Sequence, residues 1–269
     1  MASQMSGRQC FQRLQSHTGR KWPLLCIALL ASQLTPLQVQ AADIMVAAAA
    51  SLTNAFTEIG KAYEQKTPDT HVLFNFAPSG ALLEQISNGA PEDVFASADL
   101  ATMDRAEKER LILHSSRGNF AANKLVLVVP SDSTLELHEL QDLISPEVHK
   151  IALGTPETVP AGRYAEKALE KAGLWQQLSP KFDVTQTARQ SLFRVFRGPA
   201  DAGLVYATDA ASSPVGVRTA FEVVLDNPIV YPIAAVEGFG NENAALKFIA
   251  FVKSESGQAI LTKYGFLKP

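Results

Sequence analysis

Cysteine is all but missing from this 269-residue chain: the only two, Cys10 and Cys26, sit near its amino terminus. The rest of the chain can therefore form neither a disulfide framework nor a thiolate metal site. Histidine is also scarce. Beyond His17 near the amino terminus, His71, His114, His138 and His149 stand far apart, with no spacing that gathers metal ligands. No glycine-rich loop ends in lysine, which removes the usual phosphate cradle of nucleotide hydrolases. Ser79 has Ala77 where a nucleophile elbow would carry its first glycine, so acyl transfer is a poor reading. No apolar run reaches the roughly 20 residues of a membrane span. Positive charge is in deficit too, with 24 Lys and Arg against 27 Asp and Glu and a net of −3. Nucleic acid and anionic membrane surfaces are poor partners for such a chain.

What is present begins with a targeting segment. Met1 to Lys21 carries Arg8, Arg13, Arg20 and Lys21 and no acid, and Trp22 to Leu34 is an apolar run of 13 residues. Val39-Gln40-Ala41 then offers the small residues that precede signal-peptidase cleavage. Residues 1–41 therefore read as a secretory signal peptide, with an uncleaved anchor as the rival reading. Leu25 before Cys26 argues against lipid attachment. Cleavage would remove four basic residues and both cysteines, taking the net charge from −3 to −7. An exported chain of about 228 residues without disulfides must be stabilised by core burial.

From residue 43 onward, strand and helix patterns alternate, which points to an α/β fold with mostly parallel sheets. Leu52, Phe56, Ile59 and Tyr63 share one helical face before the stop at Lys66-Thr67-Pro68. Further helices are expected around Leu82–Ile86, over 161–172 and 187–197, and from Glu242 to Ser254. Strands are expected at 93–98, 124–130, 151–154, 202–206 and 229–236. No linker separates two halves, so residues 124–130 and 229–236 are the candidate crossing strands between lobes.

Four times an apolar strand runs straight into a helix start built from small, uncharged donors. These junctions hold Ser51, Ser79-Gly80, Pro160-Ala161-Gly162 and Thr187-Ala188. A helix start has unpaired N–H groups and about half a positive charge, so convergent starts suit an oxyanion. Each serine has an ordinary alternative as a helix cap. Gly80 would let a ligand approach the backbone. Ala161 and Ala188 could act only through their amides. Tyr206 closes the strand Gly203-Leu-Val-Tyr206 and could simply pack. Arg163 and Arg189 flank the proposed amides and could pair with an anion, although helical arginines more often face solvent.

These residues carry a resemblance. Ala47-Ala-Ala-Ala-Ser51-Leu-Thr-Asn-Ala55, Phe76-Ala-Pro-Ser79-Gly-Ala-Leu82, Gly89-Ala-Pro-Glu-Asp93, Pro156-Glu-Thr-Val-Pro-Ala-Gly162, Gly203-Leu-Val-Tyr206 and Lys263-Tyr-Gly-Phe266 together resemble the periplasmic molybdate-binding proteins. These are the substrate-binding subunits of ATP-driven (ABC) molybdate importers. The resemblance covers essentially all of the chain after residue 41. It implies a type II periplasmic-binding-protein fold: lobe I from 42–126 and 231–269, lobe II from 127–230, ligand in the cleft. It also implies Ser51, Ser79 and Tyr206 as hydroxyl donors and Ala161 and Ala188 as amide donors. Ala188 is placed by its distance before Tyr206. Molybdenum would be held as an oxyanion, without direct metal ligation, cofactor or catalysis. A monomer that takes molybdate or tungstate to an inner-membrane permease is expected. The alternatives are a receptor for another tetrahedral oxyanion such as sulfate and, less well supported, a secreted hydrolase using Ser79.

Overall fold

The computed structural model describes residues 42–212, 215–238 and 240–269. The signal-peptide reading of 1–41 and both cysteines lie outside the described residues. The chain first builds β1 (Ala42–Ala49), α1 (Thr53–Lys66), β2 (Thr70–Ala77), α2 (Ser79–Ser87), β3 (Val94–Ala96), α3 (Leu100–Lys108) and β4 (Gly118–Asn123). It then forms β5 (Leu125–Pro130), β6 (Ile151–Gly154), α4 (Pro160–Lys171), α5 (Trp175–Leu178) and β7 (Phe182–Thr185). Next come α6 (Ala188–Arg197), β8 (Ala202–Tyr206), α7 (Ala207–Ala211) and β9 (Val217–Glu222). The chain closes with β10 (Ile229–Ala235), α8 (Glu242–Lys253) and α9 (Glu255–Lys263).

Two five-stranded sheets result, ordered β2-β1-β3-β10-β4 and β7-β6-β8-β5-β9. Both sheets are mixed in the same way. β1 is parallel to β2 and β3, and β6 to β7 and β8, whereas β10 and β5 are antiparallel to both their neighbours. The one reversed strand in each sheet is the one that enters from the other lobe.

The crossings differ from the expected strands. Among the described residues β5 pairs only with β8 and β9, and β10 only with β3 and β4, so neither spans the two lobes. The chain passes over at Lys124 and returns through residues 223–228. Boundaries drawn at 126/127 and 230/231 would cut β5 and β10.

The helical face read from Phe56, Ile59 and Tyr63 is buried. Phe56 packs against Phe74, Phe120 and Phe248 with ring centroids 6.1, 5.5 and 6.4 Å away, joining α1, β2, β4 and α8. Ala245, Phe248, Ile249 and Val252 form the buried face of α8, as the spacing indicated. α3, α9, β4 and β9 had no expectation attached. β4 consists mainly of small residues, and β9 breaks its apolar residues with Arg218, Thr219 and Glu222 at a sheet edge, so neither shows a strong apolar run.

Candidate functional site

Ser51 sits in the middle of the 3-10 turn Ala50–Leu52 that joins β1 to α1, 8% exposed. Ser79 opens α2 directly after Pro78 and is fully buried. Neither serine caps its helix, because neither helix start receives a side-chain cap bond. Their hydroxyls point elsewhere. Ser51 Oγ lies 3.1 Å from Tyr231 Oη on β10, and Ser79 Oγ accepts the Ala98 N–H at 3.0 Å. A hydroxyl that accepts from an amide keeps its own proton for another partner. Ser79 is thereby left as a donor.

The second lobe supplies two helix starts and a ring. At α4, Pro160 occupies the first helical turn without a side-chain cap. At α6, Thr187 Oγ1 accepts the Gln190 N–H at 3.0 Å, leaving the amide of Ala188 without that acceptor. Tyr206 ends β8 at 1% exposure, and its hydroxyl donates to the Ala98 carbonyl at 3.2 Å across the cleft. To donate to a ligand, Tyr206 must exchange that bond. Burial pushes the Tyr206 and Tyr231 hydroxyls well above the ordinary tyrosine pKa, so both stay protonated.

A small cavity between the lobes brings these junctions together, with Ser51, Ser79, Ala98, Pro160, Ala188 and Tyr206 in its wall. Ala161 is fully buried behind Pro160 and does not itself line the cavity. Its N–H belongs to the first turn of α4, where helix geometry provides no acceptor. No carboxylate lines the cavity.

Several expectations change around this centre. Gly80 serves the lobes rather than a ligand: its N–H donates to Thr158 O at 3.1 Å. A Cβ there would lie 2.9 Å from the Thr158 backbone, so only glycine fits this approach. Arg163 does not face solvent. It reaches across the cleft to Asp99 Oδ2 with Nε at 2.8 Å, and to Thr102 Oγ1 with Nη2 at 2.7 Å. Asp99 also caps α3 by accepting the Thr102 N–H, so its charge is fully engaged. Arg189 spans the lobes as well, donating to Asn54 Oδ1 at 3.3 Å. Its Nε lies 3.6 Å from Asp209 Oδ1, beyond hydrogen-bond reach, although Asp209 is 1% exposed. Burial raises the Asp209 carboxyl from 3.8 to about 6, against the pull of the Arg189 charge.

Tyr231, Asn123 and Ala98 escaped the sequence reading. Asn123 Nδ2 donates to Tyr231 Oη at 3.1 Å and to Thr208 Oγ1 at 2.8 Å. The available signal was a polar group in an apolar strand: Tyr231 within Ile229-Val-Tyr-Pro-Ile233, and Asn123 after Phe120-Ala-Ala122.

A sequence model of the bacterial extracellular solute-binding protein family matches residues 44–267. The chain belongs to that family. This solute-binding chain is 38% identical over 229 residues to the molybdate-binding protein ModA of Escherichia coli K12, spanning 83% of this chain and 88% of that one. It is 32% identical over 251 residues to ModA of Haemophilus influenzae, spanning 92% and 98% respectively. The periplasmic molybdate-binding protein of Azotobacter vinelandii superposes with a TM-score of 0.76, covering 84% of this chain and 99% of that one. At 22% identity that likeness shows the two-lobed fold alone. The family consists of binding proteins rather than enzymes. The geometry at Ser79 agrees, since its hydroxyl is hydrogen-bonded to a backbone amide and not to a base.

Proposed function

We propose that this protein captures molybdate, and also tungstate, in the cleft between its lobes and delivers it to an inner-membrane ABC permease. Ser51, Ser79 and Tyr206 would bind the oxyanion through hydroxyls, and Ala161 and Ala188 through amides. Residues 1–41 would direct export to the periplasm and be removed there, leaving a monomeric receptor. The observation that carries this reading is Ser79. Its oxygen is occupied by the Ala98 N–H, so its proton is directed away, in a cavity without a carboxylate. Molybdate, a fully deprotonated tetrahedral dianion, has no proton to give and needs only donors. Helix-start dipoles supply them without adding counter-charge.

A panel of oxyanions in a thermal-shift assay tests this directly. Molybdate and tungstate should each raise the melting temperature strongly, by roughly 4 kcal/mol of stabilisation at 1,000 times the dissociation constant. Sulfate and phosphate should do little at equal concentration. An equal shift with sulfate would turn the assignment toward a general oxyanion receptor, and no shift with molybdate would end it.

A further inference from the structure

Asn123 is the last residue of β4, immediately before the chain crosses to the second lobe at Lys124. It is 6% exposed, and the Tyr231 beside it is fully buried, so bulk water does not set their hydrogen bonds. One bond in the cluster has an unambiguous direction. The Lys124 N–H can only donate, and it reaches Asn123 Oδ1 at 2.9 Å. That identifies the oxygen end of the amide, because the flipped amide would set two donors against each other. Nδ2 must then give its two protons to Thr208 Oγ1 at 2.8 Å and Tyr231 Oη at 3.1 Å.

The constraint passes along the chain of hydroxyls. Tyr231 Oη has accepted one bond and has one proton left, and Ser51 Oγ is 3.1 Å away. Tyr231 therefore donates to Ser51. With its oxygen occupied, Ser51 must direct its own proton elsewhere, and its side chain lines the cleft cavity. Ser79 is held the same way by the Ala98 amide.

We propose that Asn123 is a specificity-determining residue, which through Tyr231 compels Ser51 to be a hydrogen-bond donor and so rejects oxyanions that retain a proton. This rests on Ser51 contacting the ligand, as set out above. Fully deprotonated molybdate accepts a bond at every oxygen. Hydrogen phosphate whose hydroxyl faces Ser51 sets a donor against a donor and loses a bond in a desolvated site. Asn123 needs no contact with the anion to impose this choice.

Asn123→Asp tests the direction with almost no change of shape. One carboxylate oxygen still accepts the Lys124 N–H, but the other can only accept, so Thr208 and Tyr231 must donate to it. Tyr231 then accepts a hydrogen bond from the Ser51 hydroxyl, and Ser51 offers a lone pair to the cleft. By calorimetry, molybdate affinity should fall about tenfold or more, and the preference for molybdate over hydrogen phosphate should narrow by a similar factor. Tyr231→Phe alone leaves the Ser51 proton available to the cleft and should cost less. In the double variant Asn123→Asp with Tyr231→Phe, most of the lost affinity should return although the added negative charge remains.

Wild-type selectivity in Asn123→Asp overturns the inference. So does a double variant as weak as Asn123→Asp, which would mean that charge alone weakened binding. Should Asn123→Asp fail to fold, Asn123→Ala replaces it. Without the obligate donor, Tyr231 and Ser51 can order their protons either way and selectivity should narrow; unchanged selectivity overturns the inference. Ser51→Ala separates the two levels. If it binds molybdate like the wild type, Ser51 is not a ligand contact and this inference falls with that reading. If it weakens binding while Asn123→Asp does not, the inference alone is wrong.

Discussion

Replacing Ser79 by alanine removes two separable things. The first is the acceptor of the Ala98 N–H, held at 3.0 Å by a fully buried Oγ. A stranded buried donor costs roughly 1–3 kcal/mol. Nothing is added for lost helix capping, because α2 has no side-chain cap to lose. In a chain of this size each kcal/mol lowers the melting temperature by about 2–4 °C, so the ligand-free variant should melt measurably earlier. The second loss is the hydroxyl proton offered to the cleft. A hydrogen bond to a charged group is worth about 1.5–3 kcal/mol, or roughly ten- to a hundred-fold in affinity. Scanning calorimetry without ligand reads the first loss, and titration calorimetry with molybdate reads the second. An earlier melt with unchanged affinity would make Ser79 a structural acceptor for Ala98 and remove it from the site. An unchanged melt would refute the claim that the Ala98 N–H depends on this oxygen.

Tyr206→Phe keeps the ring but deprives Ala98 O of its cross-cleft donor, and affinity should drop by about ten- to a hundred-fold; wild-type binding would reduce Tyr206 to a packing residue. Arg163→Met cuts the bonds to Asp99 and Thr102 that join the lobes. Small-angle scattering at saturating molybdate should then show a larger radius of gyration than the wild type, and identical profiles would mean that this pair does not hold the cleft. Asp209 binds its proton more tightly folded than unfolded, since burial lifts its carboxyl from 3.8 to about 6. Its contribution to stability is therefore full below about pH 3.8 and lost as pH rises through about 6, by about 3 kcal/mol in all. Asp209→Asn should gain on the wild type between pH 4 and pH 7 in denaturant melts, and a pH-independent difference would contradict the carboxyl shift.

Local pattern carried much of the architecture. The four-, three- and four-residue steps through Leu52, Phe56, Ile59 and Tyr63, the apolar strands and the helix starts at Ser79, Pro160 and Ala188 all depend on neighbours close in sequence. Such periodicities are imposed by backbone geometry, so they can be read along the chain. The low charge and donor-rich junctions were equally visible there. The sequence also placed Ser51, Ser79, Ala188 and Tyr206 as candidates, and the fold gathers all four at one cavity.

Only the tertiary structure decided where each proton points. Ser51 and Ser79 have the chemistry of helix caps, and their true partners, Tyr231 and Ala98, lie 180 and 19 residues away. Arg163 has the look of a solvent-facing helical residue until the second lobe brings Asp99 within reach, 64 residues earlier in the chain. The crossings at Lys124 and 223–228 likewise follow from which strands pair, which no single apolar run reveals. A hydroxyl is donor and acceptor at once, and its role is settled by whichever group packs against it. That group is chosen by the fold, not by the adjacent residues.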